Sequence, residues 1–89
     1  IALTKTLAME LAPQGIRVNS VAPGYVETPM AESIRQSVTE EQFAGIKAMH
    51  PLGLGTPRDV AHAVAFLLAS TGRWITGSTL VVDGGYTAH

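Results

Sequence analysis

The sequence contains no cysteine, and this absence excludes several kinds of chemistry. Without thiols the chain can form neither disulfide bonds nor thiolate zinc sites, and it offers no cysteine nucleophile. It also lacks any apolar run near the roughly 18 residues that a transmembrane helix requires, and no signal peptide opens it. We therefore expect a protein of the cytoplasm that does not enter a membrane.

Charge is also scarce, with six basic and seven acidic residues among 89 and a net charge of −1. The charged residues are scattered, so there is no basic stripe for a phosphate backbone and we expect no nucleic-acid partner. The three histidines, at positions 50, 62 and 89, share no metal-ligand spacing, so we expect no metal site. Hydrophobic residues make up 46% of the chain, which is enough for one small domain.

The most informative stretch is 16–22, which the pattern predicts to be one buried β-strand. Neither of its two alternating sets of side chains resembles a solvent-facing surface. Pro23 and Gly24 then end the strand, because proline cannot donate to a sheet ladder and glycine allows a sharp turn. Residues 23–30 would form a loop at the carboxyl end of the strand, where open α/β sheets bind ligands.

Helical patterns surround this strand. Residues 1–12 carry leucine at every fourth position and predict a helix that ends before Pro13. Two short helices are predicted at about 29–35, capped by Thr28, and 40–49, capped by Ser37 or Thr39. The strongest helical pattern begins at Thr56-Pro57 and ends near Ser70. Its predicted buried stripe is Val60, Val64, Leu67 and Leu68.

A second strand is predicted at 79–82, so the order is helix, strand, two short helices, helix, strand. One partner strand can pair only one edge of the strand at 16–22, and two parallel strands alone are marginal. The first helix also begins without a capping residue and resembles the later part of a longer helix. We therefore expect residues 1–89 to be a single partial domain of the α/β class.

Linked motifs along the chain resemble the second half of the short-chain dehydrogenase/reductase family. They run in family order from one end of the chain to the other: Arg-Val-Asn-Ser-Val-Ala-Pro-Gly at 17–24, Val26-x-Thr28, Pro51-Leu52, Gly55-x-Pro57-x-Asp59-Val60-Ala61, Phe66-Leu67, Ile75-Thr76-Gly77 and Val82-Asp83-Gly84-Gly85. The resemblance implies the carboxyl-terminal third of a doubly wound Rossmann sheet that binds NAD or NADP. It is equally close to 3-oxoacyl-[acyl-carrier-protein] reductases and to sugar or steroid dehydrogenases.

The resemblance also implies roles for individual residues. The backbone at Val26 would hold the nicotinamide carboxamide, and the Thr28 hydroxyl would bond the carboxamide or the pyrophosphate. Pro23 and Gly24 would form the wall beneath the nicotinamide ring. Residues 29–50 would be the substrate lid.

Met30 and Ile34 are the candidate substrate contacts in this lid, although a methionine there is more often packing than a ligand contact. The implied reaction is hydride transfer between nicotinamide and a small carbonyl compound or secondary alcohol. The implied assembly is a homo-oligomer, most simply a homotetramer.

The family's proton-handling groups are not in this sequence. They are a tyrosine and a lysine four residues later, but Pro29 stands four residues after Tyr25, and Tyr86 has no residue at that offset. Lys5 lies on the corresponding helix but several residues beyond the family's lysine position. The glycine-rich phosphate loop is absent as well. After Gly53-Leu-Gly55 its pattern needs a glycine where this chain has Arg58, and the stretch does not follow a strand. We therefore assign no catalytic residue to the chain.

Two functional classes remain open from the sequence. The first is an oxidoreductase of which these residues are one part, with the isolated part inactive. The second is a non-catalytic truncated fragment or pseudoenzyme that serves only as an interaction or oligomerisation module. At the level of single residues, Pro23-Gly24 could be only a strand-ending turn and Thr28 only a helix cap. The sequence does not select the substrate, nor NAD over NADP.

Overall fold

A computed structural model describes all of residues 1–89 and has the predicted order of elements. Its helices and strands are α1 Ala2–Leu11, β1 Ser20–Pro23, α2 Pro29–Gln36, α3 Glu40–Ala48, α4 Pro57–Leu68 and β2 Thr79–Val82. Short 3₁₀ turns lie at Ala12–Gln14, Ser70–Gly72 and Tyr86–Ala88. The prediction of an α/β chain with this order of elements is confirmed. No helix is both long enough and apolar enough to cross a bilayer.

The two strands form a parallel sheet in which Ser20 pairs with Thr79 and Pro23 with Val82. Parallel strands cannot be joined by a tight turn, so the chain needs a long crossover between them. That crossover consists of α2, α3 and α4, and α4 packs against both strands. The carboxyl ends of β1 and β2 therefore lie side by side, and the segments that follow them meet at one edge of the sheet.

The first strand is shorter than predicted and lies further along the chain. It begins at Ser20 rather than residue 16, and it includes Pro23 as its last residue. The residues before it are held mainly by side-chain hydrogen bonds, together with a main-chain bond from the Gly77 N–H to the Val18 carbonyl. The Asn19 amide nitrogen donates to the Ile75 carbonyl at 3.0 Å, and its oxygen accepts from the Ser78 N–H at 3.1 Å. Since these bonds come from a side chain, the alternation pattern could not distinguish them from strand pairing.

The helix starts follow from local capping chemistry. The Thr28 hydroxyl accepts from the Ala31 N–H at 3.1 Å, so Thr28 caps α2. Of the two candidate caps for α3, the structure uses Thr39, which exchanges hydrogen bonds with Gln42 in both directions. At α4, Pro57 occupies the first turn, where its missing N–H costs nothing. These starts were therefore predicted correctly.

Much apolar surface remains exposed. Of the predicted stripe on α4 only Leu67 is buried, whereas Leu68 is 76% exposed and Val64 40%. The accessible surface is 6498 Å², while a folded monomer of 9.3 kDa has about 5,000 Å². The radius of gyration is 15.9 Å, compared with about 12 Å for a compact domain of this length. The stripe prediction was wrong at these positions because residues 1–89 supply no layer that covers this face of α4.

Gly72, which follows α4, provides a test of this packing. A Cβ at Gly72 would lie 2.6 Å from the Leu67 carbonyl oxygen, so we expect Gly72→Ala to lower the free energy of unfolding by about 2 kcal/mol. The matched control is Gly45→Ala inside α3, where a Cβ meets nothing within 4 Å and better helix propensity adds about 0.5 kcal/mol. Urea denaturation of both variants measures the difference, and a shift of the same sign in both would contradict it.

Candidate functional site

The segment that follows β1 is fixed by main-chain hydrogen bonds to Gly55. The Tyr25 carbonyl accepts from the Gly55 N–H at 3.0 Å, and the Glu27 N–H donates to the Gly55 carbonyl at 2.9 Å. Val26, between them, forms an isolated parallel bridge with Gly55. In an extended segment, neighbouring residues direct their peptide groups to opposite sides. The Val26 N–H and C=O therefore face away from Gly55, and neither makes a hydrogen bond within the chain.

His50 also holds this segment, through the backbone nitrogen of Tyr25. The side chain is 5% exposed, and its Nε2 lies 3.1 Å from the Tyr25 backbone nitrogen. Its Nδ1 lies 2.8 Å from the Ile46 carbonyl oxygen in α3. A peptide N–H can only donate, so Nε2 is the acceptor and Nδ1 carries the proton that bonds Ile46. No local sequence pattern indicates which backbone groups His50 contacts.

The Tyr25 side chain connects this segment to both short helices. Its hydroxyl donates to the Ala31 carbonyl in α2 at 2.9 Å. Its ring meets Phe43 of α3 edge to face, with ring centroids 5.9 Å apart. The guanidinium of Arg35, on α2, lies 4.5 Å from the centroid of the Phe43 ring, on α3. The helices predicted as a lid are thus attached to the end of β1 through two aromatic rings.

Gly24 is required for space. A Cβ at this position would lie 2.9 Å from the Asp83 Cα and 3.0 Å from the His50 Nε2. Its φ is not positive, so the expected sharp glycine turn is not the reason for this residue. The absence of a side chain lets the end of β1 approach the end of β2 and the His50 ring.

The predicted site residues do not share one pocket. Pro23 and Gly24 line a cavity of about 750 Å³, together with Ile46, Met49 and Tyr86 among others. Thr28 lines a separate cleft of about 520 Å³, and Val26 lies on the segment between the two.

The candidate lid contacts lie outside both spaces. Met30 is 78% exposed and Ile34 49%, and neither side chain lines the cavity or the cleft. The lid helices nevertheless contribute other side chains to these walls, including Phe43 and Lys47 to the 520 Å³ cleft. Phe43 of α3 is half-buried, and its ring meets the Tyr25 ring.

Asp83 closes the edge of the sheet beneath Gly24. Its carboxylate accepts from the Thr87 hydroxyl at 2.7 Å and from the Thr87 and Gly85 N–H groups at 3.0 Å each. The Thr87 hydroxyl is the main reason that the pKa of Asp83 lies below its usual range, and the Thr87 and Gly85 N–H groups lower it further. Sequence reasoning assigned no chemistry to Asp83, and its role here is to anchor the carboxyl-terminal turn.

The site contains binding groups but no arrangement for proton transfer. The Tyr25 hydroxyl already donates to a carbonyl, and no lysine makes a hydrogen bond with it. No group of three or more histidine and carboxylate side chains could hold a metal ion. What the geometry offers is one donor and one acceptor on Val26, a hydroxyl on Thr28 whose hydrogen has no acceptor in the chain, and a glycine-lined wall.

Comparison with known proteins identifies relatives along the whole chain. A family model described as enoyl-(acyl carrier protein) reductase matches residues 1–87. Cyclohexanol dehydrogenase of Acinetobacter sp. (strain SE19) is 47% identical over 87 residues, which are 97% of this chain and 32% of that protein. The 3-oxoacyl-[acyl-carrier-protein] reductase of Vibrio cholerae is 45% identical over 86 residues, which are 96% of this chain and 34% of that protein.

Solved structures agree in shape as well as sequence. A protein from Agrobacterium tumefaciens, solved with bound NADP, superposes with a TM-score of 0.91 at 39% identity, covering 99% of this chain and 35% of that one. A 4-hydroxyisoleucine dehydrogenase complexed with NADH gives 0.89 at 38% identity, covering 99% of this chain and 36% of that one. The chain thus spans about a third of the length of these relatives.

The Asp83 contacts predict a pH dependence. Because the folded pKa of Asp83 is depressed, its stabilising contribution is complete above the ordinary aspartate value of about 3.9 and is lost as pH falls through the lower folded value. We expect Thr87→Val, which removes the leading cause, to raise the pKa of Asp83 and move this loss to higher pH. The chemical shift of the Asp83 carboxyl carbon, followed by NMR as the pH is lowered, measures this pKa.

The control for this titration is Thr6→Val, because Thr6 bonds only within α1, to the Ala2 carbonyl. We expect that variant to leave the Asp83 titration unchanged. An unchanged Asp83 titration in Thr87→Val would contradict the assignment.

Proposed function

The chain belongs to the short-chain dehydrogenase/reductase family, and from this we propose that it forms the carboxyl-terminal third of an NAD(P)-dependent oxidoreductase. The reaction is hydride transfer between nicotinamide and a small carbonyl compound or secondary alcohol. Support comes from relatives named as dehydrogenases and reductases, and from structural neighbours solved with NADP or NADH. The residue that distinguishes NAD from NADP lies outside this chain, and the mixed side chains of the lid do not select one substrate.

The observation that carries this proposal is the pair of free peptide groups on Val26. A primary carboxamide has one carbonyl acceptor and one NH₂ donor, which match an N–H and a C=O presented side by side. Both groups of Val26 lack a partner within the chain, while its neighbours Tyr25 and Glu27 are held by Gly55. In the proposed complex the Val26 N–H donates to the carboxamide oxygen, and the Val26 C=O accepts from the amide.

The flanking residues complete this binding surface. Thr28 already accepts the α2 cap bond, so its hydroxyl hydrogen is the part that can donate to the carboxamide or to a pyrophosphate oxygen. Pro23 and Gly24 end β1 and form the wall beneath the nicotinamide ring. Neither carries a long side chain, so a flat ring can approach the backbone closely.

Bound nicotinamide supplies the hydride donor or acceptor, and this chain orients it and shields the reaction from water. The substrate lid is residues 29–50, and Met30 and Ile34, which lie outside the cavity and the cleft, would reach the substrate when the lid closes. Their present exposure leaves apolar surface available for a carbonyl compound. Closure over substrate would exclude water and strengthen the polar contacts inside the site.

The proton-handling groups come from the part of the enzyme that precedes Ile1. The complete enzyme is a cytoplasmic homo-oligomer, most simply a homotetramer. Assembly and the remaining strands together cover the apolar side chains that α1 and α4 now expose.

A second candidate is a non-catalytic fragment that acts as an interaction module, and the same exposed apolar surface favours it. The reading frame upstream of Ile1 discriminates between the two. A Tyr-x-x-x-Lys motif shortly before Ile1 is expected for the enzyme, whereas a frame that lacks one leaves only the module. NAD(P)H-dependent carbonyl reduction by purified residues 1–89 alone would contradict the assignment of the proton-handling groups to other residues.

Thr28 gives a direct test of dinucleotide binding in the full-length enzyme that carries residues 1–89. We expect Thr28→Val to weaken NADH or NADPH binding about tenfold, because a donor to the ligand is lost, and Thr28→Ser to stay within about threefold. Fluorescence titration of the bound dinucleotide measures both.

Since Thr28 also caps α2, the matched control is Thr39→Val, which removes the cap of α3 and touches no proposed contact. An equal loss of affinity in Thr28→Val and Thr39→Val would assign the effect to the lid helices and contradict the Thr28 contact.

A further inference from the structure

His50 is the only buried side chain in the chain that titrates, and both of its ring nitrogens are used. Nε2 accepts the Tyr25 N–H, and Nδ1 donates to the Ile46 carbonyl of α3. One ring therefore bridges the residue before Val26 and the last turns of a lid helix. An arrangement that only stabilised the fold would not need to select this particular peptide group.

The ring is clamped in its orientation by the surrounding elements. The Tyr86 ring lies against it, with centroids 4.9 Å apart and planes tilted by 34°. Gly24 is also so near that a Cβ there would lie 3.0 Å from Nε2. The imidazole thus contacts α3, the end of β1 and the carboxyl-terminal turn, and its two hydrogen bonds set its orientation.

The consequence for Val26 follows from the geometry of an extended chain. The Tyr25 N–H bonds His50, the Tyr25 C=O bonds Gly55, and the Glu27 N–H bonds Gly55 as well. The Tyr25 C=O and the Val26 N–H share one planar peptide, and the Val26 C=O and the Glu27 N–H share the next, so Gly55 holds both of these peptides. His50 holds the peptide that precedes them, through the Tyr25 N–H, and so restricts the backbone rotation at Tyr25 on which their direction also depends.

We propose that His50 is a positioning residue that orients the Val26 peptide groups for the nicotinamide carboxamide and couples this orientation to lid helix α3. The proposal rests on the function proposed above. His50 touches neither cofactor nor substrate and acts through the Tyr25 N–H. Through Ile46, displacement of α3 is transmitted to the same peptide group, so the position of the lid and the affinity for dinucleotide are linked.

The test uses two substitutions in the full-length enzyme that separate the two hydrogen bonds. In His50→Asn the side-chain NH₂ replaces Nδ1 toward Ile46, but the residue is too short to accept from Tyr25. In His50→Gln the longer side chain places its amide oxygen near the position of Nε2, so the Tyr25 N–H regains an acceptor. The control is His62→Asn. His62 is an exposed residue on α4, and its side chain makes no hydrogen bond.

We expect His50→Asn to raise the Kd of NADH or NADPH about tenfold, with a smaller change in kcat, and His50→Gln to restore the Kd to within about threefold. In the dinucleotide-free protein, hydrogen exchange at the Tyr25 amide should accelerate in His50→Asn and recover in His50→Gln. His62→Asn should leave both measurements unchanged.

Three results would overturn the inference. Unaltered affinity in His50→Asn would show that the Tyr25 bond does not orient Val26, while the proposed function would stand. Equal losses in His50→Asn and His50→Gln, in proportion to a fall in melting temperature, would show a purely structural role. Absence of dinucleotide binding in the unaltered enzyme would remove the proposed function itself and this inference with it.

Discussion

The site depends on one parallel bridge, formed by residues 25–27 with Gly55. Gly55 accepts one hydrogen bond and donates another, and both go to the neighbours of Val26. This pairing turns a segment beyond the end of β1 into a short third strand, although it is too brief to extend the sheet. Its outer edge consists of one residue's N–H and C=O, and that edge is the candidate binding surface. Unpaired strand edges normally pair with another chain, whereas in the proposed complex a small carboxamide bonds these groups.

The other elements can be understood as supports for that edge. α4 packs against both strands and begins at Pro57, two residues after Gly55. The helix therefore fixes the position of Gly55. Gly24 lets β1 reach Asp83 at the end of β2, and the Asp83 carboxylate in turn secures the turn that carries Tyr86. Little of this support is a hydrophobic core, since only Ala8, Ala31 and Leu67 are buried apolar residues. Polar and main-chain bonds therefore define the local geometry.

Sequence reasoning identified most elements because capping and periodicity are local. Thr28, Thr39 and Thr56-Pro57 placed three helix starts, and the strand at 79–82 was predicted with its observed limits. It misplaced the start of β1 because Asn19 substitutes a side chain for the ladder, which alternation cannot reveal.

The contribution of His50 was also hidden, because its partners Tyr25 and Ile46 are brought together only by the packing of α3. The single available signal was a histidine directly before Pro51, and that signal does not indicate burial. The exposure of Val64 and Leu68 on α4 was also not indicated by the sequence. Periodicity shows which face of a helix is apolar but not whether another layer covers that face.

The most direct test of the proposed Val26 contact is a crystal structure of the full-length enzyme with NADH or NADPH bound. The account predicts that the nicotinamide carboxamide lies with its oxygen and nitrogen about 2.7 to 3.2 Å from the Val26 N and O atoms, while the Tyr25 N–H still bonds His50. A carboxamide held by other groups, with both Val26 atoms beyond about 4 Å, would contradict it.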